Sequence, residues 1–140
     1  MTPNFTLAEL TVTDHRSLDN TPDPAALANL QRLAVFLELV KDRLGGRPIM
    51  VNSAYRSAAV NAACGSRETS QHRLGCAADV RVPGMTPDTV VRAVMASGLA
   101  YDQIIREFDA WTHISIPHTP TAAPRKSALI IDRAGTRPFA

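Results

Sequence analysis

The stretch Ser70–Val80, "SQHRLGCAADV", sets a histidine, a glycine and an aspartate in a short run that turns apolar at its end. Its second half, continued as "CAADVRV", reads as a β-strand. Alternation puts Ala77, Asp79 and Arg81 on one face and Ala78, Val80 and Val82 on the other. A carboxylate among alanines and valines is costly to bury unless a nearby group compensates it.

On either side the pattern switches between helical and strand periods. Upstream, "FTLAEL" reads as a short helical turn capped by Thr6, followed by a polar loop to Pro22 and Pro24. From Ala25 to Leu44 apolar residues recur at Leu27, Leu30, Leu33, Leu37, Val40 and Leu44, one stripe of a helix that Gly45 and Gly46 end. Pro48–Ala54 reads as a strand and Ser57–Cys64 as a short helix with Ser57 as its cap. A loop from Gly65 to Gly75 then carries Ser70 and His72. Downstream, "TPDTVVRAVMASG" is an amphipathic helix opened by Thr86 and Pro87 and closed by Gly98. "DQIIREF" and "WTHISI" form a hairpin around "FDA", and "SALIIDR" is a last strand after a Pro-rich loop. The order predicts an α+β class, one small domain over residues 1–140 with a mostly antiparallel central sheet flanked by helices.

Composition narrows the classes of function. Of 140 residues, 45% are hydrophobic and 20% charged, the balance of a soluble globule. A net charge of +2 is too small and too scattered for nucleic-acid binding, and 5% aromatic residues offer no stacking platform for single strands. No run reaches the roughly 20 apolar residues of a membrane span, so no membrane insertion is expected. The start "MTPNFTLAEL" lacks a cationic region before an apolar block. The expectation is therefore a product made in the cytoplasm without a signal peptide. Cys64 and Cys76 lack C-x-x-C spacing. They read foremost as two small buried hydrophobes, and alternatively as a disulfide across the loop that carries His72.

In "WTHISI", alternation groups Trp111, His113 and Ser115 opposite Thr112, Ile114 and Ile116. Asp79 and His113 then sit in strands of one sheet, with His72 on the loop leading into the first. Two imidazoles and one carboxylate, with a fourth position open to water, are what a catalytic zinc requires, and the cation would compensate Asp79. The plainer alternative is that His72 caps a helix, His113 is a satisfied core histidine and Asp79 pairs with Arg81. His15 and His118 read as solvated loop residues.

Ser70-x-His72-x-x-Gly75-x-Ala77-x-Asp79 resembles the S-x-H-x-x-G-x-A-x-D signature of the zinc D-alanyl-D-alanine carboxypeptidases and their relatives, phage endolysin peptidases among them. "VNSAYRSAAVNAACGS" is similar to that family's S-x-Y-R-S…N…G-G segment, and "YDQIIREFDAWTHISI" to its ending. The resemblance implies a fold of the hedgehog and D,D-peptidase type and one Zn²⁺ held by His72, Asp79 and His113. It also implies that Arg56 binds a substrate carboxylate or the developing oxyanion, a role suited to its permanently charged planar fork. The alternative for Arg56 is a surface arginine at a helix start. Ser70 and Gln71 flank the metal and are candidates to orient substrate or ligand. Trp111 is a candidate substrate platform or a core tryptophan at the hairpin corner.

Where many relatives place an acid three positions before the last histidine, this chain has Ala110. The candidates for general base are Glu107 and Asp109. A three-residue loop over 108–110 would set Glu107 opposite Trp111, on the face of His113, and leave Asp109 at the turn tip. Cys64 stands in place of the first glycine of the Gly-Gly pair, so any positive φ there falls to Gly65. The implied activity is metal-assisted hydrolysis of peptidoglycan stem or cross-bridge peptides by a monomer. It would act on the bacterial wall after release, in a phage-lysis setting. The competing expectations are a non-catalytic zinc module that binds peptidoglycan or a protein, and a metal-free structural domain.

Overall fold

A computed structural model describes residues 1–139. Eleven elements follow one another: α1 Leu7–Leu10, α2 Pro24–Arg43, β1 Met50–Ser53, α3 Ala58–Ala63, α4 Gln71–Leu74, β2 Ala77–Arg81, α5 Pro87–Ala96, β3 Gln103–Glu107, β4 Trp111–Ser115, β5 Ser127–Asp132 and β6 Gly135–Pro138. The class is α+β. The six strands form an open mixed sheet in the order β1-β2-β4-β3-β5-β6, antiparallel throughout except where β5 runs parallel to β3.

Local chemistry starts the helices where the sequence places their caps. Thr6 and Glu9 form a reciprocal capping box on α1. The Asp23 carboxylate accepts from the Ala26 N–H at the start of α2, with Pro24 in the first turn. Ser57 and Thr86 likewise accept from Val60 and Thr89.

The core lies on one face of the sheet. Ala78, Val80, Ile104 and Ile114 point toward it and pack with Leu30, Leu33, Leu37 and Val40 of α2 and Val90, Val91 and Val94 of α5. Each fully buried leucine there stabilises by about 1.5–3 kcal/mol relative to an exposed one. Register sets the other face: Asp79 pairs with His113, His113 with Ile105, and Glu107 with Trp111. Side chains of directly paired residues share a face, so these positions stand together, opposite the apolar core.

Four expectations need correction. The segment before Gly75 is the short helix α4, capped by Ser70, instead of continuous loop. Leu27 is exposed, and Ala26 takes its place in the buried stripe of α2. The C-terminal strand is followed by a further strand, β6, on the sheet edge. Cys64 is exposed and Cys76 buried, both are free thiols, and no disulfide spans the loop. Cys64 itself has ordinary helical φ (−75°), and Gly65 alone supplies the positive φ of that turn.

Candidate metal centre

α4 is a single turn with an N-cap and a C-cap. Ser70 Oγ accepts from the His72 N–H, and Gly75 ends the helix at φ +79°, a conformation that favours glycine. The turn carries His72 over the sheet beside Asp79. His72 Nδ1 lies 2.8 Å from the Ala54 carbonyl oxygen, which can only accept, so Nδ1 carries the proton. This backbone contact fixes ring and tautomer together and turns Nε2 toward the Asp79 carboxylate, 3.3 Å away.

β2 and β4 bring the other two groups together by direct register. His113 Nδ1 lies 3.1 Å from Asp79 Oδ1, and the two imidazoles meet edge to face with centroids 5.1 Å apart. All three side chains are buried. Their ligating atoms lie within 4.8 Å of one another. Burial by itself would push the Asp79 carboxyl up, but with the imidazoles protonated, hydrogen bonds from His113 and His72 outweigh it and hold the group well below the usual carboxylate range.

This donor set fits a zinc ion. With Nδ1 of His72 protonated, its Nε2 in the neutral ring presents a lone pair to a carboxylate oxygen, two acceptors face to face. A cation between them resolves the conflict. Ligands of a tetrahedral ion at about 2.1 Å stand about 3.4 Å apart, close to both nitrogen–oxygen separations here.

Arg56 follows β1 and reaches across it. Its Nη2 lies 3.3 Å from Asp79 Oδ2, and its Nε donates to Ser53 Oγ. Asp79 thus pairs with Arg56, while Arg81 donates to Asn52, so the pairing of Asp79 with Arg81 does not occur.

The loop over 108–110 sets Glu107 opposite Trp111, and the Trp111 indole N–H donates to Glu107 Oε2 at 2.9 Å. Burial pushes the Glu107 carboxyl up, and the negative charge of Asp79 pushes it further. His113, Trp111 and Arg56 offset this only in part. Asp109 is exposed and ion-paired at 2.9 Å to Arg106, whose other partner is Asp88 of α5. Arg106 alternates with Glu107 along β3, so Asp109 is drawn to the face away from the two histidines.

Gln71 turns its amide nitrogen from the centre to the buried Asp102 carboxylate, 2.8 Å away, and also toward the Ile116 carbonyl. Asp102 is held in turn by Arg125, whose Nη2 approaches to 2.6 Å and whose backbone N–H also donates. Sequence reasoning gave Ser53, Asp102 and Arg125 no role. Ser53 stands in the motif segment three residues before Arg56, and Asp102 in "YDQII", so both carried a signal. Arg125, inside a Pro-rich loop, carried none. His118 is exposed and His15 half-buried. A cavity of about 460 Å³ between α2, α3 and α4 is lined by Asp23, Asn61, Glu68 and Arg73 and includes none of the three candidate ligands.

A buried pair of imidazoles with one carboxylate, backed by an arginine and a second, partly buried acid, supplies the groups that metal-dependent hydrolysis uses. The profile of the Peptidase M15 family matches residues 3–115, from the N-terminal turn to the last residue of β4, and the chain belongs to that family. M15 peptidases are zinc-dependent, and the His72–Asp79–His113 group is a site able to bind the metal. No match was found among curated proteins.

Proposed function

We propose that this chain is a zinc peptidase that cleaves peptide bonds in peptidoglycan stem or cross-bridge peptides. In this reading it is related to the D-alanyl-D-alanine carboxypeptidases and acts as a phage or prophage endolysin. The observation that carries the catalytic part is the pairing of a buried His72–Asp79–His113 group with Glu107 on the same face of the sheet. The substrate and the lytic setting rest on the motif resemblance over Asn52–Ser115, and a monomer released to the wall is the working form.

His72, Asp79 and His113 hold the zinc. When bound, the ion supplies a Lewis acid that polarises a carbonyl oxygen and acidifies water. Glu107 accepts a proton from the attacking water, whose oxygen bonds to the peptide carbon. The carbon–nitrogen bond then breaks, and Glu107 returns the proton to the leaving amine. Burial of Glu107, the largest influence raising its pKa, suits both halves of that task, because a carboxyl nearer neutrality is a stronger base and still a usable acid, while a bound cation would offset the part that comes from Asp79. Arg56 offers its fork to the negative charge that develops on the carbonyl oxygen or to a substrate carboxylate.

The test is Glu107→Gln in zinc-replete protein, incubated with purified muropeptides and followed by mass spectrometry. Wild-type protein is expected to release fragments that name the bond. The variant is expected to lose at least about 10²-fold in rate with zinc still bound at one equivalent. Cleavage retained by the variant removes Glu107 from its role. Stoichiometric zinc with no cleavage by either protein favours a non-catalytic binding module.

A further inference from the structure

The hairpin tip beside Glu107 carries a feature that the chemistry above does not use. Phe108 sits at φ +53°, in the left-handed region where a bulky side chain is a rare occupant, and it is 52% exposed. The conformation is strained and the ring stands in water, although asparagine or glycine would relieve both. Strained residues concentrate where substrates and ligands are held.

The ring has a definite neighbourhood. Its centroid is 6.3 Å from that of Trp111, within the range of interacting aromatic pairs, and Trp111 is the residue that donates to Glu107. The Phe108 N–H donates to the Ile131 carbonyl at 2.9 Å, and Ile131 is the register partner of Glu107 on β5. Phe108 and Trp111 form an aromatic pair beside Glu107, and Ile131 shares the Glu107 face of the sheet by register, in a centre that also holds the charged Arg56 and Asp79.

We infer that Phe108, together with Trp111 and Ile131, forms a specificity platform that receives an apolar side chain of the peptide substrate next to the scissile bond. This rests on the peptidase reading above and names which part of the substrate the platform contacts. Apolar contact there aligns the chain against Glu107 and displaces water from the carboxylate, while Arg56 handles charge on the other side. Ile131 lies beyond the family match, which covers residues 3–115.

The chain has a single tryptophan, Trp111, so its fluorescence reports occupancy of the platform directly. Zinc-loaded Glu107→Gln protein is titrated with purified muropeptides, alongside the Glu107→Gln/Phe108→Asn double variant. The expected result is a change in Trp111 emission, an affinity about fivefold weaker in the double variant, and an unchanged or higher melting temperature. In the active background Phe108→Asn is expected to raise KM by a similar factor with kcat held within about twofold, and Phe108→Tyr to restore it. Equal affinities in the two titrations overturn the platform while leaving the peptidase reading intact. A lower melting temperature with unchanged affinity makes Phe108 a packing residue and overturns it too. Muropeptides that bind neither protein overturn the substrate reading and this assignment with it.

Discussion

Glu107 and Asp109 stand two residues apart in one hairpin, yet their surroundings divide them. Glu107 is drawn in beside Trp111 and the histidines, and Asp109 is drawn out to Arg106. A carboxylate acts as a base only above its pKa, so the burial of Glu107 moves the acid limb of kcat/KM upward, and a bound cation, offsetting Asp79, moves it back down. The Trp111 hydrogen bond favours the ionised form and works against that rise. Trp111→Phe is therefore expected to shift the acid limb to higher pH by about one unit, with zinc content unchanged. A pH profile of kcat/KM for both proteins checks it, and a limb that stays in place or moves down sinks the role given to the indole. At this scale the sequence was informative: His72, Asp79 and His113 stand together with Arg56 on Asp79, and Glu107 shares the sheet face of His113. The Ala54 carbonyl that sets the His72 tautomer could not be read, because a backbone acceptor leaves no mark in residue type.

Among the elements, α4 has the most to do with the site for its length. Gly75 closes it in a tight place: a Cβ there would come within 2.8 Å of the Ala26 backbone oxygen and 3.1 Å of Leu30 Cγ, at φ +79°. Gly75→Ala is expected to destabilise the protein by about 2 kcal/mol or more in urea unfolding. Because the strain falls three residues from His72, zinc affinity in a chelator competition is expected to drop as well. Unchanged unfolding and affinity would show that α4 can end without the left-handed turn. The helix was invisible as a helix in the sequence, since four residues between Ser70 and Gly75 offer no periodicity to detect. The longer elements were legible because caps and stripes agree, as at Asp23, Ser57 and Thr86. Leu27 misled because the alanines at 26 and 34 bury as readily as leucine and shift the stripe. β6, "GTRP", was missed for a related reason: every residue is exposed, one is proline, and an edge strand can be polar on both sides. The parallel β3–β5 pairing depends on the Pro-rich loop crossing to Asp102 through Arg125, a contact with no local signature.

Taken whole, the molecule keeps its apolar core and its candidate metal centre on opposite faces of one sheet. On the proposed reading zinc would bind the folded chain and not a dispersed set of ligands, and would add stability by mass action, about 2.7 kcal/mol at a free concentration 100 times Kd. Chelation is expected to lower the melting temperature by several degrees and to leave the far-ultraviolet circular dichroism at low temperature unchanged, because helices α2 and α5 pack without touching the ion. A melting temperature indifferent to zinc and chelator would mean that the three side chains hold no metal, and loss of secondary structure on chelation would mean that the fold depends on it. The Asp132–Arg137 ion pair, with both contacts at 2.8 Å, ties off the β5–β6 hairpin at the far edge. Along β5, positions 127, 129 and 131 pair with Gln103, Ile105 and Glu107 and so lie on the site's face of the sheet. Directed libraries at those three sites would vary the surface beside Glu107 while leaving the apolar core on the opposite face unaltered.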